Sequence, residues 1–222
     1  MNISQGKRRL SIGISDESPF ILYSVQTILI KEFSNLNINA YPVEAEGLLS
    51  IIREEMPDIL ITDFCFTFER NDSNGVKKLE QIHKQNPNLK IIIFTAQKSQ
   101  AILKSILQVP VNAIVHKRDD IRDLVRAFNW VCSSNSGIYY SEQMKNLVLS
   151  APADTAQTLL SPSEIEVIRL FAIGYSLMEI AKVRKRSIST VATQKYNAMR
   201  KLQLQLQSNT DLIKYVFAQE LV

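Results

Sequence analysis

Apolar positions follow two rhythms along this chain. Over residues 10–131, short runs rich in isoleucine, leucine and valine alternate with longer amphipathic stretches. Leu10–Ser15, Ile59–Thr62, residues 91–95 and residues 114–116 are the short runs. Their length and apolar content suit strands buried on both sides. Residues 20–33, 76–84 and 121–131 carry apolar side chains at the three- and four-residue steps of helices. A strand–helix alternation of this kind predicts a doubly wound α/β domain with a parallel sheet covered on both faces.

The rhythm changes after residue 158, where only helical periods remain. Ser161, Pro162, Ser163 and Glu164 form a helix start: a hydroxyl N-cap, a proline at the first helical position, and a carboxylate able to close a capping box. Ile165, Ile168, Leu170, Phe171 and Ala172 gather on one face, and Gly174 permits the backbone of a helix end. A short helix over Leu177–Val183 buries Ile180 and Ala181, and the Arg184-Lys185-Arg186 turn leads to a fresh N-cap at Ser187. On the third helix Ile188, Val191, Ala198 and Leu202 make an anchoring stripe, while Ser189, Ala192, Thr193, Tyr196 and Arg200 make a second, outward one. Ser208 and Asn209 start a fourth helix whose apolar stripe is Leu212, Ile213, Val216 and Phe217. That stripe packs on its own small domain, pairs with a second copy, or does both.

A length of 222 residues suits two domains. Residues 131–157 are rich in serine and small residues, around a short helix at Glu142–Leu149, and read as a linker. The domains are then 1–130 and 158–222. Residues 158–222 hold nine Lys or Arg against five Asp or Glu, a net +4, whereas residues 1–157 hold seventeen of each. All the excess positive charge is therefore C-terminal, the distribution that draws a protein to a polyanion through counterion release. Short hydroxyls and the methyls of Ala192 and Thr193 permit close approach to base edges, thymine above all. Lys195, Arg200 and Lys201 are placed for phosphates. The plain alternative is a helical bundle with a solvated polar face.

No apolar run of about 18 residues is present to span a bilayer, and no signal-type apolar core follows Lys7, Arg8 and Arg9. A cytoplasmic protein with no membrane partner is expected. Cys65 and Cys132 lack close-spaced partners, which argues against a disulfide framework or a zinc site. His83 and His116 read as structural, and Trp130 and the phenylalanines as core.

In a doubly wound sheet, ligands collect beyond the carboxyl ends of the strands. Asp16, Glu17, Asp63, Thr95 and Lys117 all fall at such ends. Three carboxylates brought together call for a hard dication with oxygen ligands, Mg2+ above all. Taken singly, each of these acids also suits a turn former or an N-cap.

The run from Leu160 to Leu202 resembles the LuxR/FixJ-type helix-turn-helix in its Leu-Ser opening, Glu164, Glu166, Gly174, Glu179-Ile180-Ala181, Ser189, Thr190-Val191 and Lys201-Leu202. Gln194-Lys195 and Ala198-Met199 resemble its Rcs phosphorelay branch and that branch's atypical relatives. The resemblance implies an all-α, four-helix DNA-binding domain. It reads base edges through Ala192, Thr193 and Tyr196, with Lys185, Ser189, Thr190, Lys195, Asn197, Arg200 and Lys201 completing the DNA surface. Dimerisation would run through the last helix (Leu212, Ile213, Val216, Phe217). Two departures stand out: Arg184 where leucine is usual, altering the packing of the turn or reaching phosphate, and Tyr196 where a basic residue is more usual.

Residues 8–130 resemble the receiver domain of response regulators, a five-stranded parallel α/β fold. Asp63 would then be the phosphoacceptor, with Thr95 and Lys117 binding phosphoryl oxygens. Asp16, Glu17, Asp63 and the Cys65 carbonyl would hold Mg2+. Phe66-Thr67 replaces the usual Met-Pro, a long loop covers residues 68–74, and Ile114 replaces an aromatic residue. The family reading is a transcriptional regulator, not an enzyme, that binds promoter DNA as a homodimer or heterodimer and takes phosphate from a histidine kinase or phosphotransfer protein. An unphosphorylated auxiliary regulator acting by heterodimerisation stays open beside it. A metabolic enzyme on an α/β fold and a protein-binding scaffold are the readings from other classes.

Overall fold

The computed structural model describes residues 9–64, 75–98, 100–133, 135–149, 160–202, 208–218 and 221. Within them β1 (Leu10–Ser15), α1 (Pro19–Glu32), β2 (Leu36–Ala40), α2 (Ala45–Glu55), β3 (Ile59–Thr62), α3 (Val76–Gln85), β4 (Lys90–Thr95), α4 (Gln100–Ile106), β5 (Ala113–His116) and α5 (Ile121–Cys132) follow in strict alternation. A two-residue strand, β6 (Tyr139–Tyr140), and α6 (Glu142–Leu149) come next. The C-terminal helices are α7 (Pro162–Ala172), α8 (Leu177–Val183), α9 (Ile188–Lys201) and α10 (Asn209–Ala218). Two compact units result. One contains β1 to β6 as far as Met144, and the other contains the C-terminal helices with Gln97–Val109.

All strands of the first unit are parallel, in the order β2-β1-β3-β4-β5-β6. β3 and β5 are buried at every residue, as their unbroken apolar runs require. Ile12, Ile14, Ile59, Ile61, Ile92, Phe94, Ala113 and Val115 face one side and meet Val25 and Leu29 of α1 and Leu124, Ala127, Phe128 and Val131 of α5. The intervening residues Leu60, Ile91, Ile93 and Ile114 point to the opposite side. Gly13 is required where β1 passes Tyr41, because a Cβ there would meet the ring at 2.1 Å.

The sheet has six strands, one more than expected. β6 lies in the stretch that reads as linker, and Tyr139 N–H donates to Asn112 O at 3.0 Å while Ser141 N–H donates to Ile114 O at 3.1 Å. A serine- and glycine-rich approach conceals it, and two residues are too few to show a period. β2 and α2 likewise have no sequence assignment: Leu-Asn-Ile-Asn-Ala alternates, but over only five residues of a half-exposed edge strand. Phe20 also departs from the core expectation, standing 83% exposed at the start of α1. The buried residues of that helix are Val25 and Leu29.

In the second unit both short helices begin with reciprocal capping. Ser161 Oγ accepts from Glu164 N while Ser161 N donates to Glu164 Oε2, and Ser176 with Glu179 repeats the pattern. Gly174, at φ +103°, turns the chain after α7 as its position predicts. Val167, Leu170, Ile180, Ala181 and Val191 form the core, with Phe171, Ile173, Tyr175 and Leu177 packed around it.

Candidate functional site: an acid pocket and a helix-turn-helix face

The strand order reverses direction between β1 and β3, and ligand crevices of doubly wound sheets open at that point. Asp16 follows β1 and Asp63 follows β3. Thr95 ends β4 and Lys117 follows β5. Register brings them together: Ser15 pairs with Thr62, Thr95 pairs with His116, and Lys117 N–H donates to Thr95 O at 2.8 Å. The ammonium of Lys117 lies 2.6 Å from Asp16 Oδ2 and 2.6 Å from Asp63 Oδ2, with side-chain exposures of 15%, 4% and 18%. Burial works against the charged ammonium, but the attraction of Asp63 and the hydrogen bonds to both carboxylates outweigh it, and the Lys117 pKa is raised.

The second oxygen of Asp16 accepts from Ser18 N–H at 2.9 Å. Asp63 Oδ1 is buried without a hydrogen-bond partner among the described residues, an acceptor left over for a cation or a donor. The three carboxylates are not drawn into one cluster. Glu17 is exposed, and among the described residues no three His, Cys, Asp or Glu side chains form a metal-holding group. Lys117 supplies the neutralising charge between Asp16 and Asp63 instead. Asp16 and Asp63 with Lys117 between them leave one net negative charge and an oxygen without a partner among the described residues, and with Glu17 next in the chain these oxygen donors fit a hard dication. Cys65, Phe66 and Thr67, and the loop at 68–74, lie outside the described residues.

His116 is structural: it is fully buried, its Nε2 lies 3.1 Å from Ala96 O, and its Nδ1 accepts from Arg118 N–H at 3.1 Å.

Helix α9 opens at Ser187, whose Oγ accepts from Thr190 N–H at 3.1 Å. Val191, Ala198 and Met199 are buried. Ser189, Thr190, Thr193 and Arg200 are exposed, as is Tyr196 at 49%, and Ala192 and Asn197 are half-buried. Ile188 does not anchor the helix. It is 48% exposed, because the first turn of α9 projects beyond the core, and Met199 fills the inward position that the stripe omitted.

The basic residues divide. Lys185 is exposed in the turn at φ 51°. Lys195 lies 3.7 Å above the Phe171 ring and donates to Asn209 Oδ1 at 2.6 Å, and burial pushes its pKa down. Lys201 donates to Glu164 Oε2 at 2.7 Å. Arg184 is likewise turned inward, with its side chain 7% exposed against Glu166. Leu212 and Val216 of α10 are fully buried, Ile213 is half-buried, and Phe217 is 56% exposed. The strand-end acids, the Ser161–Glu164 capping box and the exposed stripe were legible in the sequence, whereas the Ser176–Glu179 box was not read there and the inward turn of Arg184 had no local signal.

A parallel sheet that presents Asp16, Asp63, Thr95 and Lys117 at its strand ends, joined to a capped helix-turn-helix unit, defines a receiver domain with a helical output domain. Residues 12–129 match the response regulator receiver domain, and residues 158–216 match the bacterial regulatory proteins of the luxR family. The chain belongs to these families and is an RcsB-like transcriptional response regulator. Transcriptional regulatory protein RcsB of Salmonella typhi is 29% identical over 195 residues, 87% of this chain and 88% of the relative. Response regulator protein VraR of Staphylococcus saprophyticus is 27% identical over 172 residues, 76% of this chain and 78% of the relative. RcsB from Salmonella enterica serovar Typhimurium, solved bound to promoter rprA with the phosphomimetic BeF3-, has a TM-score of 0.74 and 28% identity over 94% of this chain and 98% of that chain. Among the described residues no helix is long and apolar enough to cross a membrane.

Proposed function

We propose that the chain binds promoter DNA as a dimer through the outer face of α9, under control of phosphorylation at Asp63. The observation that carries this is the exposed stripe of Ser189, Thr193, Tyr196 and Arg200 on a helix anchored by Val191 and Ala198. Thr193 and Tyr196, with Ala192, meet base edges. Lys185, Arg200 and the α9 N-terminus meet phosphates. RcsB relatives bound to promoter DNA, and as two dimers on two parallel DNAs, support the same reading. Phe217, exposed beside Ile213, supplies the apolar surface for pairing with a second regulator subunit, alike or related. The receiver then covers 1–130 extended by β6 and the residues up to Met144, the rest of 131–157 is the tether, and the DNA-binding domain is 158–222. The protein acts in the cytoplasm, as a regulator and not as an enzyme.

At the acid pocket, Asp63 attacks the phosphorus of a phosphohistidine donor on a kinase or phosphotransfer protein. The new O–P bond forms as the N–P bond breaks, and the donor imidazole takes up a proton. Magnesium, held by Asp16, Glu17 and Asp63, would supply charge neutralisation to the transferring oxygens. Lys117 exchanges part of its pairing with Asp63 for a phosphoryl oxygen, and Thr95 donates a second contact. Incubation with acetyl phosphate and MgCl2 tests this by mass spectrometry: a gain of about 80 Da, absent in Asp63→Ala, is expected. No gain, with DNA binding intact, selects the unphosphorylated regulator instead. Failure of the chain to retain any duplex at low salt overturns the DNA reading.

A further inference from the structure

We propose that Arg184 is a positioning residue that fixes the rotation of the reading helix. The inference rests on α9 being the DNA-reading element. Arg184 caps the end of α8, but its guanidinium belongs to neither solvent nor phosphate. It reaches Glu166 Oε2 at 2.9 Å, Gln194 Oε1 at 2.6 Å and Ser163 O at 3.4 Å. Two of these acceptors are on α7 and one is on α9, so a single buried cation ties the scaffold helix to the reading helix. Gln194 follows Thr193 directly and lies more than a right angle around α9 from the exposed stripe.

Apolar contacts hold the rotation of α9 less sharply than directed bonds do, Met199 among them being an unbranched, adaptable side chain. Val191, Ala181 and Ala198 are small, and hydrophobic burial has no direction. Hydrogen bonds do, weakening steeply as their angles open. Side-chain tips lie about 5 Å from a helix axis, so a rotation of about 20° carries the stripe about 2 Å, beyond the tolerance of a base-edge hydrogen bond. Lys201 and Glu164 tie the last turn of α9 to the first turn of α7 at 2.7 Å, giving the helix a second fixed point.

Removing one member of a fully buried ion pair is destabilising, but Glu166 is 34% exposed and is hydrated once Arg184 is gone, so loss of position is separable here from loss of fold. The full chain is used, with a duplex that the unaltered chain selects from a random-sequence pool and a scrambled duplex of the same length. In Arg184→Met the preference for the selected duplex falls about tenfold or more, on the scale of a mismatched base pair. Affinity for the scrambled duplex, its salt slope and the melting temperature stay close to those of the unaltered chain. Arg184→Lys recovers part of the preference. Gln194→Met reproduces the loss, and the double variant adds little to it. Gln194→Met also carries the test if Arg184→Met does not fold.

Three results overturn the inference. They are an unchanged preference, a parallel fall of both affinities with the melting temperature, and a salt slope lowered by about one, which marks a phosphate contact. Selection of no duplex by the unaltered chain defeats the DNA reading itself, and the positioning role with it.

Discussion

Lys117 Nζ stands 2.6 Å from Asp63 Oδ2, and this ion pair joins the ends of β3 and β5 across the intervening β4. Asp16 completes the bridge from β1 at the same distance. The ammonium therefore keeps two largely buried carboxylates compatible before any phosphoryl group arrives.

Lys117→Met should lower stability by about 3 kcal/mol, the lower end for breaking a buried pair, since it leaves both carboxylates facing without a cation. Thermal unfolding checks this. Added MgCl2 should restore more stability in the variant than in the unaltered chain, and an equal response would mean that the dication does not use these carboxylates.

Gly13→Ala should cost about 1–3 kcal/mol through overpacking, because the new methyl enters the Tyr41 ring. Displacing the ring also strains the 2.8 Å hydrogen bond that Tyr41 donates to Glu55. Tyr41→Leu in the same chain should recover part of the loss in urea denaturation, while an additive loss would locate the clash elsewhere.

Tyr139 carries a pH prediction. Burial, the charge of Asp123 and a hydrogen bond to it push this phenol from 10.0 to about 12. The folded state thus favours the neutral phenol. Its stabilising contribution is complete below pH 10.0 and is lost as the pH climbs to about 12. Trp130, the one tryptophan of the chain, lies 6.3 Å from the Tyr139 ring and reports on β6. Its emission should change over that alkaline window. In Tyr139→Phe that step should vanish, and its persistence would assign the change to another group.

Ser161→Ala should cost about 1 kcal/mol by removing the N-cap of α7. The loss in thermal unfolding should exceed that of Ser176→Ala, because Glu164 also holds Lys201 whereas Glu179 lies on the exposed surface. Equal losses would mean that the Glu164–Lys201 tie contributes little.

The C-terminal unit was the more legible half. Ser161-Pro162-Ser163-Glu164, Gly174 and Ser187 act within a turn of their own positions, so helix starts and stops could be read almost residue by residue. The receiver strands Leu10–Ser15 and Ile59–Thr62 were also plain, the first through isoleucines alternating with small residues and the second through a compact apolar run. β2 and β6 were not, because the alternation of β2 spans only five residues and β6 exists only through its pairing with β5. Ile188 misled for a related reason: periodicity gives the face of a helix but not where the core beneath it ends.

The sequence by itself determined the two fold classes, the caps, the acids at the strand ends and the outward stripe of α9. All of these follow from residue type and short-range spacing. Tertiary structure alone decided that Lys117 bridges Asp16 and Asp63, that Arg184 and Lys201 turn inward, and that Leu212 and Val216 belong to the core. Lys117 and Asp63 are 54 positions apart, and Lys201 and Glu164 are 37 apart. Partners so remote meet only after the elements between them have packed, and that packing settles which charges meet each other and which remain for a ligand.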